Sequence, residues 1–195
     1  MSKMKKAILS AVFLSGIFTV ATAQTQPGES VISANAGFSL VGALFSLADI
    51  DADVKSSAPP AVQLNYDYAI NELFSLGGGL SYQRFKLAYT DYGDDMEDFD
   101  VQLSRFNVAL RGLFHYGAQE QVDMYSGIRL GLSNWSADVG TSNPDFEPPK
   151  GNGISVAPQL ILFGIRGYLT DGLGINAELA VGGPHFFAIG LSYRI

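Results

Sequence analysis

The segment His185–Ile195, HFFAIGLSYRI, decides how this chain is read. Phe187, Ile189, Leu191, Tyr193 and Ile195 alternate with Ala188, Gly190, Ser192 and Arg194. A period of two sends successive side chains to opposite faces of an extended strand. One face is apolar and aromatic; the other is small, polar and finally charged. The pattern runs to the last residue, as expected of a barrel that closes on its final strand. Its length suits the ~9–11 residues of a tilted transmembrane strand.

The same alternation recurs upstream. Ile32, Ala34, Ala36, Phe38 and Leu40 oppose Ser33, Asn35, Gly37 and Ser39 within residues 31–41. Val62, Leu64, Tyr66 and Tyr68 oppose Gln63, Asn65 and Asp67; Phe74, Leu76, Leu80 and Tyr82 oppose Ser75, Gly77, Gly79 and Ser81. Residues 102–116 set Phe106, Val108, Leu110 and Phe114 against Arg105, Asn107, Arg111 and His115. Residues 122–133 set Ile128, Leu130 and Leu132 against Tyr125, Arg129 and Gly131. Ile161, Phe163 and Ile165 stand opposite Arg166, and Ile175, Ala177 and Leu179 oppose Asn176 and Glu178. Together these predict eight strands and no helix. Long connections are expected at 42–60, 86–100 and 134–153, alternating with short turns. Paired hairpins of unequal loop length are the habit of a barrel with one confined and one free end.

The apolar face can point inward around a ligand or outward to lipid. Glycines, serines and alanines, interrupted by a few large ions, make up the polar face. That composition fits the narrow interior of an eight-stranded barrel, which side chains just fill. Aromatic residues gather near strand ends: Tyr66, Tyr68, Phe74, Phe114, Tyr116 and Tyr193 at one end, Phe38, Tyr82, Phe106 and Phe187 at the other. Two such girdles match two lipid–water interfaces. The fold expected is an all-β, eight-stranded, antiparallel up-and-down transmembrane barrel.

The start of the chain agrees. A basic Met1–Lys6 and an apolar run at residues 7–20 precede Ala21-Thr22-Ala23, the outline of a cleaved signal peptide over 1–23. The barrel domain is then 24–195. Loss of Lys3, Lys5 and Lys6 moves the net charge from −7 to −10, which excludes nucleic acid as a partner. With no cysteine, disulfides, thiolate metal sites and lipoprotein acylation are excluded as well.

The leader, the eight alternating segments and stretches such as GIRLGL, FGIRGYLTDGLGINAEL and AIGLSYRI resemble the small outer-membrane β-barrel family, which includes the outer-membrane protein A transmembrane domain and outer-membrane protein X. The resemblance spans the mature chain. It implies an outer-membrane location and insertion by the outer-membrane assembly machinery, which reads a C-terminal strand ending in an aromatic residue. Here the chain ends in Ile195, with Tyr193 the nearest aromatic. The partners expected are outer-membrane lipid and lipopolysaccharide, around a monomer that needs no cofactor.

Buried arginines need partners. Glu178 is expected to meet two or more of Arg111, Arg129 and Arg166 inside the barrel, with Asp67 as a further acceptor and Arg194 in the same set. The network reads as a plug; a gated ion path is the alternative. Asp91, Asp94, Asp95, Glu97 and Asp98 form an acidic stretch able to offer oxygens to a hard cation such as calcium, as does Asp49-x-Asp51-x-Asp53. Neither has the glycine and closing glutamate of an EF-hand loop, and no resident metal is expected. The role expected is non-enzymatic, structural or surface-directed. A lipid A-modifying enzyme is the alternative, requiring His185 beside a serine such as Ser39, Ser133 or Ser155.

Overall fold

A computed structural model of the chain describes residues 25–47, 54–92, 97–116, 121–141 and 151–195. The expected signal peptide and the Asp49, Asp51 and Asp53 motif lie outside them. The elements are β1 (Ser30–Phe38), α1 (Leu40–Leu47), β2 (Val54–Ser57), β3 (Ala61–Ala69), β4 (Phe74–Tyr92), β5 (Glu97–His115), β6 (Val122–Thr141), β7 (Gly151–Tyr168), β8 (Leu173–Gly182) and β9 (Phe187–Arg194). Every pairing is antiparallel, and the order β4-β3-β1-β9-β8-β7-β6-β5 closes on itself through β4–β5. This is a ring of eight strands. The short β2 takes the edge of β4 that β3 leaves, pairing Val54–Ser57 with Lys86–Tyr89. Ser30 and Ile195 exchange backbone hydrogen bonds, so both ends of the ring meet at the level of the short turns.

The faces fall as the alternation demands. Ser33, Asn35, Gln63, Asn65, Asp67, Asn107, Arg111, Arg129, Asn176 and Glu178 are buried in the interior, while Leu64, Leu76, Leu80, Val108, Leu110, Ile128, Leu130, Ile175 and Leu191 are exposed outside. Leu110 is 76% exposed. A belt of this size facing water is untenable, and lipid is the solvent that fits it. The girdles are in place. Phe74 lies 5.3 Å from Phe114, and Phe114 6.1 Å from Tyr116, at the short-turn end; Tyr82 pairs with Phe106, and Phe38 lies 6.3 Å from Phe187, at the other.

Besides β2, which is a strand inside the expected 42–60 connection, four features depart from the sequence expectation. First, Leu40–Leu47 is helical, and β1 stops at Phe38. Past Ser39 the alternation lapses into a mostly apolar run. The Ser39 hydroxyl accepts from the Gly42 N–H at 2.9 Å, an N-cap that starts a helix. Second, most of the expected 86–100 connection is strand, since β4 continues to Tyr92 and β5 begins at Glu97. Third, β6 runs to Thr141 and β7 begins at Gly151, inside the expected 134–153 connection. Fourth, Ile161 points inward and is fully buried, because a register shift between Ile161 and Phe163 turns Leu162 and Phe163 outward together. Ile161 packs inside with Leu113, Tyr125 and Ala180.

The extended strands carry an inversion of polarity. Below Tyr82 and Phe106 the outward positions are apolar. Above them the outward positions are Arg84, Lys86 and Ala88 on β4, Ser104, Gln102 and Asp100 on β5, and Ser136 and Asp138 on β6. The inward positions become Phe85, Leu87, Tyr89, Leu103, Val101, Phe99, Trp135 and Val139. The switch marks where lipid ends. At ~3.4 Å per residue, the eight steps from Phe74 to Tyr82 cover about 27 Å along the strand, and the remainder of β4 and β5 projects a comparable distance beyond the bilayer. Leu110→Arg is therefore expected to destabilise the barrel by about 2–4 kcal/mol in liposomes. Asp138→Arg, above the boundary, is expected to stay within about 0.5 kcal/mol of the parent. Equilibrium unfolding in urea compares the two.

The barrel interior as candidate functional site

Interior-facing small residues make room for large ions. A Cβ at Gly77 would collide with the Asp67 carboxylate, one at Gly164 with the Tyr125 ring, and one at Gly79 with the Asn65 amide. Around these gaps the strands bring their charged side chains together at mid-height. Arg111 Nε lies 2.8 Å from Asp67 Oδ1, and its Nη2 lies 2.6 Å from Glu178 Oε1. Arg166 Nη2 pairs with the other Asp67 oxygen, and its Nη1 lies 3.3 Å from Asp123 Oδ2. The Tyr125 hydroxyl donates to Glu178 Oε1 at 2.7 Å, and the Arg166 guanidinium stacks 4.5 Å above the Tyr125 ring. Asp67 is thus the hub, clamped between two arginines from β5 and β7.

Of the residues predicted from sequence, Asp67, Arg111, Arg166 and Glu178 come together. Glu178 has a single arginine within ion-pair distance, Arg111, not two. Arg129 stands apart, donating from Nη2 to Asn107 Oδ1 at 2.9 Å. Arg194 sits at the lower rim, 3.5 Å from Glu29 and 3.7 Å above the Tyr168 ring, outside the central cluster. The acidic stretch is not assembled within the described side chains: those of Asp91, Asp94, Asp95 and Glu97 lie outside them, and Asp98 is exposed. Among the described residues no group of three metal-ligating side chains occurs.

Sequence reasoning missed Tyr125, Asp123 and both histidines as members of the network. For Tyr125, Asp123 and His115 the signal was present, since each sits at an inward position of an alternating strand; His185 precedes β9 and carries no such signal. At the lower end Ser75 Oγ lies 2.7 Å from His115 Nε2, and His115 Nδ1 lies 2.7 Å from Asp123 Oδ1. Hydroxyl, imidazole and carboxylate stand in the order of a hydrolase triad, but Ser75 is buried against the interior. The chain of bonds ties β4, β5 and β6 together where they leave the bilayer. His185, at the outer end, contacts Gln63 and lies 3.5 Å from Glu178 Oε2. No serine is among its partners. Ser39 caps α1, Ser133 binds Asn107, and Ser155 accepts from the Trp135 indole. The arrangement required for a lipid A-modifying enzyme is therefore not assembled among the described residues.

Side chains stack across the outer mouth. Arg105 donates to Gln83 Oε1 at 2.8 Å and to the Pro184 carbonyl at 2.6 Å, and it lies 5.2 Å over the Trp135 ring. Phe85 stacks on Trp135 at 6.2 Å, and Phe45 of α1 covers Phe85 at 5.1 Å.

No protein-family model and no curated protein matches the chain. Solved structures do. The N-terminal β-barrel domain of Pseudomonas aeruginosa OprF aligns over 88% of this chain and 100% of its own, with TM-score 0.53 and 14% identity. Ail, the attachment invasion locus protein of Yersinia pestis, in complex with the heparin analogue sucrose octasulfate, aligns over 87% and 100%, with TM-score 0.50 and 17% identity. The chain has the fold of the small eight-stranded outer-membrane β-barrels, with its apolar belt turned outward as in a membrane-spanning barrel.

Removing one member of a buried ion cluster strands the others. Asp67→Asn, which deprives two arginines at once, is expected to cost about 3–5 kcal/mol in detergent unfolding. Ser75→Ala is expected to cost about 1 kcal/mol, the worth of one hydrogen bond, and a fluorophosphonate probe leaves the parent protein unlabelled.

Proposed function

We propose that this chain is a sealed outer-membrane barrel that acts through the wall it projects outside the cell, not through transport or catalysis. The observation carrying this reading is the length of β4, β5 and β6, 19, 19 and 20 residues. A transmembrane strand needs ~9–11. The surplus builds a sheet whose outward face is polar and whose inward face is apolar. A net charge of −7 favours a neutral or basic partner over a polyanion, since like charge opposes encounter. The heparin analogue seen on Ail is thus not the ligand class favoured here. The partner is a protein or a weakly charged polymer at the cell surface.

Ion bridges at mid-height, the Ser75–His115–Asp123 chain below and the Arg105–Trp135–Phe85 stack above support a closed lumen. In planar bilayers the protein is expected to leave conductance at the level of the bare membrane; discrete open steps would favour the narrow-channel reading instead. The surface role is tested by deleting Lys86–Tyr89 together with their partners Phe99–Gln102, a matched removal that keeps the faces in phase. The shortened barrel is expected to remain in the outer membrane and heat-modifiable on gels, while cells displaying it lose attachment to immobilised surface proteins. Attachment equal to that of the full-length chain would contradict the proposal.

A further inference from the structure

Arg129 is the one interior arginine of the membrane-spanning section left without a carboxylate among the described residues. It is 2% exposed, and its only hydrogen bond runs from Nη2 to Asn107 Oδ1. Nε and Nη1 have no protein partner. Its neighbour across β5–β6 on the same face is Arg111, a like charge, and across β6–β7 it is Gln159, whose Oε1 is also unpartnered. The acids nearby are engaged elsewhere, although Glu178 Oε2, 3.5 Å from His185 Nε2, accepts no hydrogen bond. Asp67 holds Arg111 and Arg166, Glu178 holds Arg111 and Tyr125, and Asp123 holds Arg166 and His115. Counting Arg105 at the mouth, four buried arginines face three carboxylates among the described residues.

The surroundings of Arg129 are amides, not apolar side chains. A Cβ on Gly79 would stand 3.2 Å from Nη2 and 3.5 Å from Cζ, so the guanidinium lies against a bare stretch of β4. That same Cβ would strike the Asn65 side chain, which places the Asn65 amide beside the guanidinium. Both amide atoms of Asn65 lack partners. So do both of Asn35, its diagonal neighbour across β1–β3, since Asn35 pairs with Gln63 and Asn65 with Ser33. An amide can turn its N–H toward whatever needs it. An uncompensated cation inside a membrane barrel is costly, and unpartnered donors beside it add to the cost.

We propose that the Arg129–Asn65–Asn35 cluster is a structural binding site for a small monovalent inorganic anion of the halide class. The anion accepts from Arg129 Nε and Nη1 and from the two amides. It enters as the barrel closes and stays as an internal counter-ion.

The test uses the mature protein purified and crystallised with sodium bromide as the only halide. An anomalous peak within hydrogen-bond reach of Arg129 and Asn65 is expected; density there that fits water alone, with no anomalous signal, overturns the proposal. A solution measurement covers the case of poor crystals. The unfolding temperature in detergent is compared in chloride and in gluconate at equal ionic strength, after folding in each salt. The parent is expected to unfold several degrees higher in chloride, and Arg129→Gln is expected to show no difference between the salts. Asn65→Ala, which keeps the charge, is expected to retain a reduced chloride effect. Equal unfolding of the parent in both salts, or the same chloride effect in Arg129→Gln, overturns the site.

Discussion

In hydrocarbon no water is available to an unpaired backbone N–H or C=O, and the structure follows from that constraint. Only helices and closed barrels meet it. With no apolar run of helical length after residue 23, the chain can meet it only by closing a sheet, and the pairing of β4 with β5 completes the ring. Closure at eight strands leaves an interior no wider than its side chains. That narrowness brings Asp67, Arg111, Arg166 and Glu178 into one bonded cluster, and it makes interior glycines a steric necessity.

The same constraint explains the change of phase along β4, β5 and β6. Where lipid is the outer solvent, Leu80, Tyr82, Phe106 and Val108 face out. Where water replaces it, Lys86 and Asp138 face out and Phe85, Leu103 and Trp135 turn inward. The backbone ladder does not break at the boundary. One hydrogen-bonded sheet thus serves as membrane anchor below and as a soluble wall above.

The barrel was legible because period-two alternation is a local signal and the outward apolar set is large. Glu178 and Arg111 were legible as partners because both fall at inward positions at similar height. The projecting wall was not, because Phe85-x-Leu87-x-Tyr89 and Phe99-x-Val101-x-Leu103 alternate in the opposite phase amid acidic residues. The turn inward of Ile161 depends on a bulge against β8, which no local pattern announces. Alternation puts Tyr125 on the polar face, but its bond to Glu178 spans two strands that are not adjacent. Helix α1 was hidden because Leu40 and Val41 prolong an apolar run that begins in β1, and only the Ser39 cap separates strand from helix.

The absence of cysteine from the chain permits the most direct measurement, a scan of single cysteines along the outward face in sealed liposomes with a membrane-impermeant thiol reagent. Leu80→Cys, Tyr82→Cys, Val108→Cys and Phe106→Cys are predicted to be protected. Arg84→Cys, Lys86→Cys, Ser104→Cys and Gln102→Cys are predicted to react, with the break falling at one height on both strands. Labelling that continues below Tyr82 and Phe106, or protection that extends through Lys86 and Gln102, would contradict the account of a lipid-facing belt surmounted by a projecting wall.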